Sequence, residues 1–193
     1  MKHWKTIIIG VLCAALILGY YYYLSTRDNT SDDIKDKTEV EKVIELDLAD
    51  VDKYPSKPRE VVKVFNRILC CYYNDEYSEK QFKDLAAQQR LLLDEELLAN
   101  NPEKQFLVSV RTDIEEYKKE GKTISDYILC GTDDVIYKTV DGRECAYVTC
   151  SYYIRNGKNG TENTNQCYVL RKDDNGNWKI LVYYLIEGET EVE

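Results

Sequence analysis

Eighteen consecutive residues, opening at Ile7 and closing at Leu24, carry no charge and are mostly apolar: "IIIGVLCAALILGYYYYL". A bilayer-spanning helix needs about 20 such residues, so this run constrains the chain more than any other feature. Its last part decides how it is read. Without Tyr20, Tyr21, Tyr22 and Tyr23 the apolar core shrinks to residues 7–19, within the roughly 7–15 residues of a cleavable signal peptide. A tyrosine ring buries its apolar body while its hydroxyl reaches water, so Tyr and Trp collect at membrane interfaces. Trp4 marks one end of the run and the four tyrosines the other. Signal peptidase needs small residues at −3 and −1, yet the pairs near Leu24 are Tyr23 with Ser25 and Leu24 with Thr26. The sequence therefore predicts an uncleaved transmembrane anchor at 6–24, in preference to a removed signal peptide.

The flanks orient it. Lys2 and Lys5 precede the run, whereas Arg27 after it is followed by Asp28, Asp32 and Asp33. Positive charge stays on the cytoplasmic side. Residues 1–5 are the expected cytoplasmic flank, and the rest of the chain is expected outside a cell membrane crossed once.

All 35 acids lie beyond the anchor, against 24 bases once Lys2 and Lys5 are set aside from 26, so the outer part carries −11. Such a surface repels phosphate backbones and anionic head groups, which argues against nucleic acid and against a domain lying flat on lipid. Residues 25–55 hold ten acids and five bases and read as an acidic stalk; as a flexible chain its reach is about 30 Å. In its later part Val40, Val43, Ile44, Leu48 and Val51 suit a helix while Ile44, Leu46 and Leu48 alternate like a strand, and periodicity does not choose between them.

Residues 56–193 are long enough for one core and no more. Ser56 is the expected cap of a helix with Pro58 in its first turn and Val61, Phe65, Ile68, Leu69 and Tyr72 at helical spacing. Ser78 with Gln81 makes a capping box for a second helix running to Leu98. A third has Pro102 in its first turn, Leu107, Val110, Ile114 and Tyr117 on one face, and Gly121 as C-terminal cap. Beyond Gly121 the apolar period falls to two, and strands are predicted at 123–130, 135–140, 144–154, 165–172 and 178–185. Asp141-Gly142 and the "DDNG" of Asp173 to Gly176 supply the turns. Helices grouped ahead of a mainly antiparallel sheet predict an α+β fold with the helices on one face.

The phrases "YPSKPREVVKVFNRILCCYYN", "LLLDEELLANNP", "TVDGRECAYV" and "YVLRKDDNGNWKIL" resemble an uncharacterised family of single-pass membrane-anchored proteins from Gram-positive gut bacteria. The helices ahead of a sheet ending in "GNWKI" also resemble the nuclear-transport-factor-2-like superfamily. The first likeness implies a topology and no chemistry. The second implies a bent sheet wrapped as a cone, and its members include isomerases, dehydratases and non-catalytic binding domains.

The single histidine, His3, precedes the anchor, so the outer domain can build no Ser/His or Cys/His pair and no histidine-containing metal site. Asp94-Glu95-Glu96 and Asp133-Asp134 are adjacent carboxylates whose side chains diverge on a helix or strand, which suits solvated surface. "DDNG" lacks the later glutamate of a calcium loop and reads as a turn. Outside the span lie Cys70, Cys71, Cys130, Cys145, Cys150 and Cys167. Their spacing contains no C-x-x-C and sets no evident pairs, so they read as small buried residues rather than bridges. Tyr152, Tyr168 and Tyr184 fall in phase with Ala146, Val148, Cys150, Leu170, Trp178, Ile180 and Val182, the face expected to meet the helices. Tyr147, Tyr153, Leu181, Tyr183 and Leu185 make the opposite face unusually apolar, which suits cover by an envelope protein or a second copy.

These readings predict no catalytic, cofactor or metal residue. They favour a membrane-tethered extracytoplasmic binding or assembly module. The alternative is a small-molecule isomerase or dehydratase, or a ligand carrier, with a pocket tyrosine and an acid for which Asp126 is the nearest candidate.

Overall fold

A computed structural model describes residues 37–157 and 160–186. The apolar run 7–24 and the first part of the stalk lie outside these residues, and among the described ones no helix is long and apolar enough to cross a membrane. The elements in chain order are helices α1 (Glu39–Ile44), α2 (Pro58–Asn74), α3 (Glu79–Leu91), α4 (Glu95–Asn100) and α5 (Glu103–Glu120). Strands β1 (Lys122–Leu129), β2 (Ile136–Val140), β3 (Arg143–Asn156), β4 (Thr161–Lys172) and β5 (Trp178–Ile186) follow. All strand pairs are antiparallel. The sheet runs β1-β3-β4-β5, and β2 pairs with the first part of the same β3 edge that β1 covers further on. The protein is α+β.

Local chemistry explains most boundaries. The Ser78 hydroxyl accepts from the Gln81 N–H at 3.3 Å while the Gln81 side chain accepts from the Ser78 N–H at 2.9 Å, the reciprocal box that starts α3. Gly121 ends α5 at φ +66°, a left-handed conformation that L side chains avoid. Asp141 and Gly142 both take positive φ and join β2 to β3. Ser56 does not cap α2; Lys57 holds that position without a side-chain bond, and Pro58 opens the helix.

Three features depart from the sequence reading. First, Val40 and Val43 of α1 are fully buried and Leu48 nearly so, all within the hydrophobic core. The packed unit therefore begins near Glu39, inside the segment read as stalk, because these side chains find core partners that local polarity does not reveal. Second, the helix expected from 78 to 98 breaks at residues 92–94. Ile180 N–H donates to Leu92 O at 2.8 Å and Asp94 N–H to Ile180 O at 2.9 Å, so this segment extends the sheet past β5 and covers part of its edge. Asp94 then caps α4 by accepting from the Glu96 N–H.

The third departure sets the faces of the sheet. Leu170 pairs with Ile180 but Val169 pairs with Val182, so Leu181 is an extra residue in β5. A bulge of one residue reverses the facing of everything after it. Ile180 is fully buried under the helices, whereas Val182 and Tyr184 turn outward and are exposed. Tyr183 turns inward instead, its ring 5.8 Å from Phe65 and 5.6 Å from Tyr168. Replacing Leu170 with Ala should cost about 2–5 kcal/mol of stability in urea unfolding. Val182→Ala should change it by about 0.5 kcal/mol or less. Comparable losses at the two positions would refute the bulge.

Candidate functional site: a tyrosine-lined cleft under helix α5

α2 lies against the inner face of the sheet, and its polar residues bind it there. Asn66 is fully buried. Its side-chain carbonyl accepts from the Tyr152 hydroxyl at 2.5 Å and its amide donates to Cys150 Sγ at 3.2 Å. The Tyr152 and Tyr168 hydroxyls are hydrogen-bonded to each other, and Gln166 Oε1 accepts from Tyr168 at 3.0 Å. At the far end of α2, the Asn74 amide donates to Ile124 O at 2.7 Å and accepts from Ile124 N–H at 3.0 Å. It thereby stands in for a strand neighbour at the bulge in β1.

α5 does not close completely over this layer. Between it, α2 and the sheet runs a cleft of about 180 Å³ lined by Tyr73, Asp113, Tyr117, Tyr152 and Tyr183 among others. A second lobe of about 110 Å³ shares Phe65, Asp113 and Tyr183 with it and reaches Gln89. Both volumes fall below the roughly 300–1,000 Å³ of ordinary ligand pockets. Tyr73 and Tyr117 pack on each other with their centroids 4.4 Å apart and their planes tilted by 34°. Asp113 is the cleft's carboxylate. Burial first, then the neighbouring Glu116 charge, raises its pKa above the usual aspartate range.

The chemistry available here is narrow. Burial raises the Tyr73, Tyr152 and Tyr168 phenols well above their ordinary value and raises that of Tyr183, with the Asp113 charge adding to the effect at Tyr73 and Tyr183. These groups can donate or accept hydrogen bonds, but none supplies a phenolate near neutral pH. The thiols are equally inert. Burial pushes Cys70 and Cys71 up to about 12 and Cys150 up to about 11, and all six described cysteines are free. Among the described residues no three His, Cys, Asp or Glu side chains gather as a metal site.

The residues singled out from sequence mostly lie elsewhere. Asp126 accepts from the Tyr127 N–H at 2.8 Å, is exposed, and faces outward beside Tyr153, so it does not enter the cleft. Asp94 is spent on capping and on Arg171, whose Nε donates to it at 3.0 Å. Asp134 accepts from the Gly131 N–H in a 3₁₀ turn, and Asp173 accepts from Asn175 and Asn177 N–H in the turn before β5. Tyr152 and Tyr168 face inward as expected, and Tyr184 faces out. Asp113 was missed, although the sequence signals it: it lies three residues after Val110 and four before Tyr117, an acid within an apolar helical stripe.

A larger groove of about 340 Å³ lies near the turn before β5. Several of its charged groups already have partners: Arg143 pairs with Glu95 at 3.5 Å and Lys179 Nζ donates to Leu91 O at 2.7 Å.

A five-stranded antiparallel sheet with helices on its inner face and a narrow tyrosine-lined cleft defines an α+β domain. The chain belongs to the family described as "Domain of unknown function (DUF6715)", which matches residues 1–183. None of the curated proteins matches it. Among solved structures, the crystal structure of the intermembrane space region of chloroplast protein ARC6 is similar at 16% identity, over 67% of this chain and 94% of that one, with a TM-score of 0.36.

The raised phenol pKa values make a sign prediction. The unfolded chain loses tyrosine protons from about pH 10 while the folded one retains them, so stability should fall as pH rises above about 10. Ultraviolet titration should show the buried phenols ionising together with unfolding. Ionisation of most tyrosines at about pH 10 with the fold intact would contradict their burial.

Proposed function

We propose that this protein is a membrane-tethered, extracytoplasmic, non-catalytic binding or assembly module. The observation that carries the proposal is the outer face of the sheet. Ile136, Tyr147, Val169 and Val182 stand opposite one another across β2, β3, β4 and β5, an uninterrupted apolar row. Ile136, Val182 and the neighbouring Tyr184 are exposed. Tyr147, with Lys138 over its ring, is half-buried and Val169 is buried, so the exposed apolar surface lies at the two ends of the row, and exposed apolar surface of this kind marks interaction sites.

The occupant we favour is a second copy of the chain. Anchoring every molecule through the apolar run 7–24 holds the domains in one layer and raises their effective concentration. Two acidic domains repel one another, so contact is favoured through the row that carries no charge. The helices gathered on one face of an antiparallel sheet support the likeness to a nuclear-transport-factor-2-like cone, in its non-catalytic form. The isomerase or dehydratase alternative loses its proposed acid, since Asp126 faces outward.

Two measurements test this reading. Protease added to intact cells stripped of their wall should remove the C-terminal domain and spare an N-terminal tag. Protection of the domain would overturn the tether. The segment from residue 37 onward should self-associate in sedimentation on the order of tens of micromolar, and Val182→Lys with Tyr184→Lys should make it monomeric; a monomeric parent would overturn the second copy.

A further inference from the structure

We propose that the cleft under α5 binds a small organic ammonium cation. Tyr73, Tyr117, Tyr183 and the buried Phe65 line it, with Lys122 Nζ 6.0 Å from the Tyr117 ring at its edge, and its charged member is the Asp113 carboxylate. Among the described residues no base pairs with Asp113, in contrast to Asp94, Glu79 and Glu39, which are matched by Arg171, Arg111 and Arg67. Aromatic faces are negative and attract cations at about 0.5–2 kcal/mol each, and a carboxylate beside them adds a full charge.

The second lobe offers an independent observation. Gln89 is nearly fully buried, lines this lobe, and its Oε1 has no hydrogen-bond partner. A buried acceptor left unpaired costs about 1–3 kcal/mol, and an N–H donor in the lobe would relieve it. Carboxylate, amide oxygen and ring faces are all acceptors of positive charge, and they converge on two adjoining spaces. The size limits the class. About 180 Å³ is room for about six water-sized groups, a methylated or alkylated ammonium rather than a nucleotide or a sugar chain. Burial and then the Glu116 charge raise the Asp113 pKa, and a cation beside it would favour its charged form.

The site is separate from the outer sheet face, so failure here leaves the assembly reading standing, and failure of self-association leaves this one. The test is saturation-transfer NMR on the full chain in maltoside micelles with three probes: choline, 3-methylbutylammonium, and the neutral choline isostere 3,3-dimethylbutan-1-ol. Both cations should bind about tenfold more tightly than the alcohol. Asp113→Asn should remove that preference, and since it deletes a destabilised charge at an exposed position it should not lower the melting temperature. Gln89→Leu should weaken 3-methylbutylammonium, which has N–H groups to share, and leave choline unchanged. Equal affinity for cation and alcohol, cation binding that survives Asp113→Asn, or no binding of either cation overturns the proposal.

Discussion

The hydrogen bonds joining Asn66 of α2 to Tyr152, Tyr168 and Cys150 set the geometry on which the remaining structure depends. An amide and two phenols sealed between a helix and a sheet must find partners, because each unpaired group there costs about 1–3 kcal/mol. Apolar contacts tolerate a helix that slides or rotates by a few degrees; these bonds do not. They hold α2 against β3 and β4 in one orientation. Asn74 fixes the other end by bonding the backbone of Ile124 on both sides. With α2 held at both positions, α5 can pack only beyond it, and the gap left between them becomes the cleft.

The bulge at Leu181 completes that cleft. A regular β5 would send Tyr183 outward and place Val182 beneath the helices. With one residue inserted, Tyr183 instead packs on Phe65 and Tyr168 and stands in both lobes. The same reversal puts Val182 and Tyr184 on the outer face, where they extend the apolar row begun by Ile136, Tyr147 and Val169. One local irregularity thus shapes both surfaces to which function is assigned here.

Much of this was legible in sequence where the signal is local. The Ser78 and Gln81 box, the Gly121 stop, the Asp141-Gly142 turn and the change from helical to alternating period all correspond to observed elements. What escaped was set by distant partners. The break after Leu92 depends on Ile180, far along the chain, and nothing near Leu92 announces a strand. Leu181 sits in "KILVYYLI", where every phase is apolar, so alternation cannot say which residue is the extra one. Val40 and Val43 fall among charges that mask their burial. Asp126 was named as the nearest acid, in the first strand, and the bulge between Ile124 and Asp126 leaves it on the outer face.

The cost of the cleft clarifies its standing. A compact domain of this size could close the gap with one more aliphatic side chain from α5, as Ile114 does one position along. At 113 the chain carries instead a carboxylate that is partly desolvated and close to Glu116, opposite phenols that cannot donate it a full charge. Asp113 and the unpaired Gln89 oxygen both weaken the empty domain, and both border the same space. Unfavourable polar groups that converge on a cavity, in a fold whose other buried polar groups are largely paired, mark the place where stability has been given up for binding. A cation entering that space would restore to each group the partner it lacks.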